Sequence, residues 1–361
     1  MRFSHAHAPD APPSGFWLMV AGFFLLLAAP VVAINLAVDP FDFRLVPHVP
    51  LPRGAVMPKN NTALWMAGEF RRIPQSVLDG TTIVFAGDSR TDSLVLWRTY
   101  LRVMEVRGDR VWNLCFGGAS FDDTLRLLEV ELPRLPRLHT LILGVSYENI
   151  GNPAPDRVES ALRLHDMPWS YALNLGTLGW SLQLLRERDA ALKSGASAAD
   201  GPSLNPDRIP KVPRAMFDRA MQSPPEIEKA TAIPEADLRV TIAHWLPAFT
   251  TADPVLVRRK VHDRLAPFVA RLRERGVAVV FFIPPLRPEV REALGPAVKD
   301  AMSDFASELA KLGPVEDYSG GDRDGIPFRY RDHAHVEAGV AQAIFAHIYQ
   351  RHFAKSPAPK P

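Results

Sequence analysis

One serine stands where a buried strand is predicted to give way to a helix, and from there its hydroxyl could act as a nucleophile. Ser89 follows the apolar run 82–86 and the turn-forming Gly87, and residues with helical spacing follow it. The start of a helix lies near the positive end of the helix dipole, which stabilises developing negative charge. Ser89 is therefore a candidate nucleophile if a base reaches it. The alternative interpretation is that Ser89 or Asp92 simply caps the helix.

The second candidate is a carboxylate and an imidazole near the carboxyl terminus. Asp332 and His335 are three residues apart in a turn that leads into a helical pattern. At this spacing the carboxylate can hold the imidazole in one tautomer while its other nitrogen faces a serine, as serine hydrolysis requires. A capping box with a surface histidine is the alternative. His333 and His335 could also chelate a metal, but the sequence offers no clear further ligands, so we predict no metal and no cofactor.

Four short apolar runs predict the strands that would position these residues. Runs bounded by Gly or Pro are typical of strands buried on both faces, and they lie at 82–86, 111–115, 140–144 and 277–283. Segments with helical spacing lie between them. This alternation predicts an α/β fold, a three-layer sandwich with a mainly parallel sheet between helices. Ligands bind such sheets at the carboxyl ends of the strands, where Ser89 is predicted to lie.

An uncharged apolar run near the amino terminus predicts a membrane anchor. Residues 16–38 contain no charged side chain, and a helix needs about 20 apolar residues to span a bilayer. We predict a single transmembrane helix over 16–38, a cytoplasmic tail over 1–15 and a body outside the cytoplasm. A signal peptide cleaved after Ala33 and a buried core helix are the alternatives.

Composition divides the rest of the chain. A Pro-rich stretch without periodicity predicts a stalk over 39–76, and a folded domain over 77–354 follows it. Residues from about 187 to 254 are rich in Ala, Ser, Pro and Asp and predict an insertion. The segment 169–185 before it predicts an amphipathic helix that packs on the sheet or covers the site. The tail 355–361 is predicted to be unstructured.

Overall composition excludes several classes of protein. Hydrophobic residues make up 47% of the chain and charged residues 23%, as in folded globular proteins, which excludes a wholly disordered protein. Lys and Arg number 42 against 40 Asp and Glu, so the formal net charge of +2 argues against nucleic acid as a partner. The single cysteine, Cys115, excludes an intrachain disulfide and is predicted to be buried as a small apolar residue within a strand.

The segments around Ser89 and His335 together resemble the motifs of the SGNH/GDSL superfamily of serine hydrolases. Gly87-Asp88-Ser89 matches the first block of that family, and the segment with Asp332 and His335 matches the last. The resemblance implies a flavodoxin-like version of the three-layer α/β fold. It also implies a catalytic triad in which Ser89 is the nucleophile and Asp332 and His335 complete the site.

The two middle blocks of the family supply the oxyanion hole. Asn113 to Gly118 match the second block, and the resemblance makes the amide of Gly118 an oxyanion donor. In the third block, Ser146 stands where the family carries an asparagine. Loss of one oxyanion donor typically lowers turnover by about 100- to 1,000-fold. Either Ser146, Asn149 or a backbone amide therefore takes this role, or hydrolysis is slow.

This departure and the anchor together resemble one subset of the superfamily, the anchored extracytoplasmic proteins that work beside membrane-bound O-acyltransferases. The D-alanine transfer protein of teichoic acid synthesis and the O-acetylation proteins of alginate synthesis are of this kind, and the likeness covers about residues 82–345. It implies a single-pass protein of the inner (cytoplasmic) membrane that faces the periplasm or cell exterior. The partners expected are the lipid bilayer, a cell-envelope glycan and a membrane-bound O-acyltransferase.

The same resemblance implies that an acylated serine passes its acyl group to a glycan hydroxyl or to water. One alternative is a non-catalytic member of the fold that binds glycan or an acyltransferase. Another is a plain periplasmic esterase or lipase. The Ser, Asp and His motifs favour chemistry, whereas the missing asparagine disfavours the plain esterase.

A few further side chains are candidates for contact with substrate. Arg90, beside Ser89, and Arg287, after the last apolar run, could bind an anionic group, with a solvated turn arginine as the alternative. Tyr147 and Trp169 could present flat faces to a sugar ring, although aromatic residues in a core of this size are more often buried.

Overall fold

The structure of the protein is a computed structural model that describes residues 14–38, 75–95, 103–153, 158, 167–193, 211–212, 235–330 and 335–353. The predicted stalk up to residue 74 and the tail 355–361 lie outside the described residues, as do residues 1–13. The chain divides into two compact units, residues 1–69 with 161–201 and residues 70–160 with 202–361. Residues 161–201 thus group with the amino-terminal residues.

Helices occur in both units. In chain order they are α1 (Ser14–Val38), α2 (Gln75–Leu78), α3 (Ser89–Val95), α4 (Phe121–Glu131), α5 (Tyr147–Gly151), α6 (Pro168–Ala172), α7 (Leu175–Lys193), α8 (Glu235–Thr250), α9 (Pro254–Lys260), α10 (Ala266–Glu274), α11 (Pro288–Ala293), α12 (Pro296–Leu312) and α13 (Ala338–His352). A 3-10 helix, Leu132–Arg134, follows α4, and a π-helical turn, Val261–Leu265, joins α9 to α10.

The strands form one sheet in the second unit. They are β1 (Ile83–Ala86), β2 (Val103–Val106), β3 (Asp109–Asn113), β4 (Thr140–Gly144), β5 (Lys211–Val212), β6 (Ala278–Ile283) and β7 (Val315–Asp317). Their order is β5-β2-β3-β1-β4-β6-β7, and every neighbouring pair is parallel except β2 and β3. Without β2 and β5, the remaining strands follow the order 2-1-3-4-5 of doubly wound sheets. The predicted α/β fold with a mainly parallel sheet is confirmed.

All four apolar runs form strands, with small differences at their ends. The strand β3 begins at Asp109 and ends at Asn113, so Cys115 lies in the loop that follows, where it is fully buried. The strands β2, β5 and β7 lack a continuous apolar run, because they are short and carry charged residues such as Glu105 and Glu316. The strand β5 lies within the predicted insertion.

Both faces of the central strands are buried. On one face, Ile83 and Phe85 of β1 belong to a cluster with residues of α3 and α13, and the ring centroids of Phe85 and Phe345 are 5.3 Å apart. Val84 points to the opposite face, because side chains alternate along a strand, and it is also fully buried. Since packed side chains fill both faces, the sheet can present functional groups only at its edges and at the ends of its strands.

In the first unit, α6 and α7 pack on α1. The helix α1 runs continuously through Pro30 and contains the apolar stretch Trp17–Val38, with a mean hydropathy of 2.5. Among the described helices, this is the one that is long and apolar enough to cross a membrane. The helix predicted over 169–185 is instead two helices, α6 and α7, which break at Leu173 and Asn174.

Candidate functional site

Ser89 is the first residue of α3, directly after the turn that ends β1. The turn depends on Gly87, which has a φ of +150° and whose added Cβ would lie 2.6 Å from Oγ1 of Thr91 and 3.1 Å from Cα of Gly144. Gly144 ends β4, and a Cβ there would overlap the side chain of Thr91. Glycine at both positions therefore lets the turn before Ser89 lie against the end of β4.

Asp88, rather than Ser89 or Asp92, caps α3. Its Oδ1 accepts hydrogen bonds from the backbone N–H groups of Arg90 (3.0 Å) and Thr91 (3.4 Å). Asp92 accepts a hydrogen bond of 2.6 Å from the Asn113 amide at the end of β3. The capping interpretation of Ser89 is therefore unnecessary, and its half-buried hydroxyl is not required to hold the helix.

The loop with the predicted oxyanion glycine lies beside this turn. The strand β3 is the neighbour of β1, and the loop after β3 donates from Leu114 N to Phe85 O (2.7 Å) and from Phe116 N to Gly87 O (3.2 Å). Gly118 follows in this loop with a φ of +66°, a conformation that glycine adopts without strain. Hydrogen bonding thus links the loop of Gly118 to the turn that precedes Ser89.

Ser146, the residue in place of the family's asparagine, is buried within a polar network. Its hydroxyl donates to Oε1 of Glu148 (2.8 Å) and accepts from Nη2 of Arg90 (2.8 Å). A hydroxyl has one proton to donate, so the side chain of Ser146 cannot also donate to an oxyanion while this network is intact. The expectation that the Ser146 hydroxyl replaces the asparagine is therefore not supported.

Asn149, the other side chain considered for this role, instead supports the loop that follows Gly118. Its Nδ2 donates to the carbonyl oxygen of Ala119 (2.9 Å), and its Oδ1 accepts from the backbone N–H of Phe121 (2.9 Å). These bonds connect α5 to the start of α4. Asn149 therefore helps to hold the loop of Gly118 in place.

Arg90 is the centre of the buried network and is not a free cation. Its Nη2 lies 2.7 Å from Oδ2 of Asp88 and 2.6 Å from Oε1 of Glu148, and its guanidinium carbon lies 5.1 Å from the ring centroid of Trp245. Burial lowers the pKa of Arg90, but the two carboxylates outweigh it and the net pKa is raised above its usual value. Because two carboxylates already bind its buried guanidinium, Arg90 does not fit the predicted role in substrate binding.

Glu148 and Trp245 were not predicted as parts of this site. The sequence offers one signal for Glu148, its position two residues after Ser146. The sequence does not indicate that Glu148 pairs with Arg90, because the two residues meet only when β1 and β4 are neighbours in the sheet.

Tyr147 and Arg287, both predicted to contact substrate, are also largely buried. The hydroxyl of Tyr147 donates to Ala252 O (3.3 Å), and its ring packs edge-on against another aromatic ring in the core. Arg287 pairs with Glu289 at 3.3 Å, and its guanidinium carbon lies 5.1 Å from the ring centroid of Tyr330. Burial raises the pKa of Glu289, but the hydrogen bond and charge of Arg287 together with a backbone hydrogen bond outweigh it, and the net pKa is lowered. Neither side chain presents an open face to a ligand.

His335 lies in the loop that leads into α13. The loop is held by a bridge between Val336 and Tyr330 and by a hydrogen bond of 2.9 Å from Glu337 N to Arg329 O. Helix α13 then packs on α3, the helix that begins at Ser89. The fold thus packs the helix that follows His335 against the helix that begins at Ser89.

The predicted partner of His335 and the second histidine of the metal alternative cannot be placed. Asp332 and His333 lie outside the described residues, so the triad stays a prediction. Among the residues that the structure describes, no group of three or more His, Cys, Asp or Glu side chains is arranged to hold a metal ion.

Comparison with known proteins identifies no family for this chain. No protein-family model matches the chain, and a search of characterised proteins finds no significant match.

Proposed function

We propose that the protein is a membrane-anchored serine acyltransferase or esterase of the SGNH type that acts on a cell-envelope glycan. Ser89, the Gly118 loop and Ser146 follow β1, β3 and β4, which are neighbouring parallel strands in the middle of the sheet, so all three lie at the carboxyl ends of these strands. In doubly wound sheets the strand order reverses between β1 and the strand in the position of β4, and ligands bind at this switch point. The observation that supports the proposal is the packing of α13, the helix that follows His335, on α3, the helix that begins at Ser89.

The proposed reaction has two acyl-transfer steps. Oγ of Ser89 attacks the carbonyl carbon of an acyl donor, His335 accepts the hydroxyl proton, and the donor's leaving group departs with that proton. A glycan hydroxyl or water then attacks the acyl-serine and gives its proton to His335. The imidazole returns that proton to Ser89 as the serine leaves. Asp332 keeps His335 in the tautomer that both steps need.

The buried network around Ser146 favours transfer from an activated donor over simple ester hydrolysis. Since the Ser146 hydroxyl donates to Glu148, one side-chain donor of the usual oxyanion hole is missing. A weaker oxyanion hole raises the barrier for poorly activated esters. A membrane-bound O-acyltransferase that supplies the acyl group as an activated donor would compensate for this loss.

The helix α1 supports the anchored part of the proposal. Its apolar stretch of 22 residues is long enough to cross a bilayer. We place the protein in the inner membrane as a single-pass protein, with the second unit facing the periplasm or cell exterior.

An activity-based probe tests the nucleophile. Full-length protein in detergent is treated with a fluorophosphonate, and the labelled residue is identified by peptide mass spectrometry. The proposal predicts label on Ser89 and none in the Ser89→Ala variant. Ser93→Ala is the matched control, because Ser93 lies in the same helix and its hydroxyl donates to Arg90 O (2.7 Å), so this variant should still be labelled. Wild-type protein that stays unlabelled would contradict the proposal.

A non-catalytic member of the same fold is the second candidate. The commitment of Ser146 to Glu148 favours it, because an inactive descendant can lose its oxyanion donor without penalty. The two candidates differ in cells that carry Ser89→Ala. The acyl content of the envelope glycan falls if Ser89 transfers the acyl group, whereas it stays at the wild-type level if the protein acts only as a partner.

A further inference from the structure

The first unit exposes a group of apolar side chains beside the anchor helix. Met167, Trp169, Leu173 and Leu175 are all at least half exposed, with exposed fractions of 73% for Trp169 and 72% for Leu175. Trp169 lies in the short helix α6, and Leu173, four residues later, directly follows that helix on the same side. We call residues 167–175 the apolar turn. Exposed apolar residues that cluster in this way mark a contact with an apolar partner.

The outward direction of these side chains is fixed by local structure. Tyr171 and Ala172, on the other side of α6, are buried. Asn174 caps the next helix, because its Oδ1 accepts a hydrogen bond of 3.0 Å from the backbone N–H of Thr177. The turn between α6 and α7 is therefore ordered, and the exposed apolar side chains belong to a defined surface.

Hydrogen bonds from Asn35 hold the apolar turn at one position along α1. Its fully buried Nδ2 donates to the carbonyl oxygens of Ala172 (2.9 Å) and Asn174 (3.0 Å), and its Oδ1 accepts from the hydroxyl of Ser181 (3.1 Å). The two carbonyl groups belong to the end of α6 and to the turn itself. The position of Asn35 along α1 therefore sets the depth of the apolar turn relative to a membrane.

The length of α1 places Asn35 near a bilayer boundary. Its apolar stretch begins at Trp17, and a helix rises about 1.5 Å per residue, so Asn35 lies about 27 Å further along. The hydrocarbon core of a bilayer is about 30 Å thick. The side chains described over 21–27 are all exposed, whereas Asn35 and Val38 are buried. A helix that enters the bilayer at Trp17 thus reaches the opposite interface close to Asn35.

We propose that the apolar turn inserts into the lipid interface at the outer end of α1, as a second membrane contact of the first unit. Its occupant is the bilayer rather than a protein, because the hydrogen bonds of Asn35 hold the turn at the depth where the hydrocarbon core ends. Tryptophan is enriched at this boundary, since its ring is amphipathic, and leucine and methionine bury apolar area there. This inference depends on the anchor that is part of the proposed function.

Depth-dependent fluorescence quenching tests the inference on the full-length protein. Single cysteines are introduced as Trp169→Cys and Leu175→Cys, labelled with the polarity-sensitive dye NBD and reconstituted into phosphatidylcholine and phosphatidylglycerol vesicles. Lipids with a spin label near the headgroup act as the quencher. Cys115 is fully buried, so unmodified protein serves as the control for background labelling. Leu25→Cys reports on the anchor.

A control outside the first unit gives the baseline. Glu274→Cys replaces an exposed residue at the end of α10. We expect quenching at positions 169 and 175 to be at least about threefold stronger than at position 274, with a blue-shifted NBD emission.

Each other outcome overturns a defined part of the inference. Quenching at 169 and 175 that equals the baseline, while a lipid spin-labelled deep in the acyl chain quenches position 25, rejects the apolar turn as a lipid contact and leaves the anchor intact. Blue-shifted emission at 169 without lipid quenching rejects lipid as the occupant in favour of protein. No lipid quenching at position 25 rejects the anchor and, with it, this inference.

Discussion

Arg90 and Glu148 are 58 residues apart in the chain, yet the guanidinium of Arg90 donates to the carboxylate of Glu148 over 2.6 Å. The bond joins α3, which begins at the predicted nucleophile, to α5, which follows the third block. The same two groups also engage the hydroxyl of Ser146, which accepts a hydrogen bond from Arg90 and donates its proton to Glu148. Ser146 therefore has no further proton to donate to a ligand. The residues around Ser89 are therefore held by a buried ionic network.

Removal of the buried cation should destabilise the second unit. Arg90→Met leaves the buried Glu148 and the partly buried Asp88 without their counter-charge, and breaking a buried pair in this way costs about 3–5 kcal/mol. Urea unfolding in detergent measures the change in the free energy of unfolding. The control is Arg126→Met, which removes an exposed pair with Glu129 at 3.6 Å and should cost about 0–1 kcal/mol. Equal effects of the two variants would contradict the structural role of Arg90.

The hydroxyl of Ser146 should contribute little to chemistry. Loss of a true oxyanion donor lowers turnover by about 100- to 1,000-fold. Because the proton of Ser146 goes to Glu148, we expect Ser146→Ala to slow fluorophosphonate labelling of Ser89 by less than about tenfold. The rate constant of labelling measures this effect. A decrease of about 100-fold or more, in a variant with wild-type stability, would identify Ser146 as an oxyanion donor after all.

Close packing of the turn before Ser89 against β4 predicts sensitivity at Gly144. A Cβ there overlaps Thr91, so Gly144→Ala must displace the start of α3, at a cost of about 1–3 kcal/mol. The labelling rate of Ser89 should fall as well. In the control Gly117→Ala the new Cβ has open space within 4 Å, and thermal unfolding should stay near that of the wild type. If Gly144→Ala changes neither the thermal unfolding nor the labelling rate of Ser89, the turn is not closely packed against β4.

The folded state should lose stability in acid, in part because Glu316 becomes protonated. Burial raises the pKa of this carboxyl, but hydrogen bonds from His352 and Arg351 outweigh it, and the net pKa lies below its ordinary value of 4.5. A group with a lowered folded-state pKa stabilises the protein above its unfolded pKa and loses this contribution as the pH falls through the folded value. Wild-type stability should therefore drop below about pH 4.5.

The variant Glu316→Gln isolates this effect. It should be less stable than the wild type at neutral pH, and its thermal midpoint should depend less on pH in the acid range. Glu308→Gln removes an exposed carboxylate on α12 as the control and should keep the wild-type slope. If Glu316→Gln and wild type show parallel profiles below about pH 5, Glu316 is not the titrating group.

The strands with continuous apolar sequence could be predicted, and those that depend on tertiary pairing could not. The runs in β1, β4 and β6 are long enough to be recognised alone, whereas β7 carries Glu316 and Asp317 and forms because β6 offers it an edge. In the same way, the sequence indicates Ser89 through its local turn. It cannot indicate that Arg90 is enclosed, because Glu148 and Trp245 reach it only through the order of the strands and the packing of α8.

Asn35 illustrates the same limit in the first unit. In the sequence it is an interruption of an apolar run, whereas in the fold it is buried and bonded to the α6 and α7 segment. A polar residue in an apolar helix indicates that a partner exists, but only the packing of α6 and α7 on α1 identifies it.

The proposed acyl-serine can be tested directly by trapping it. Full-length protein is mixed with an activated acetyl ester, quenched in acid and digested, and the peptide that contains Ser89 is examined by mass spectrometry. We predict one acetyl group on Ser89 in the wild type, little or none in His335→Ala, and none in Ser89→Ala. An unacetylated Ser89 in folded wild-type protein, or acetylation that does not depend on His335, would contradict the serine mechanism.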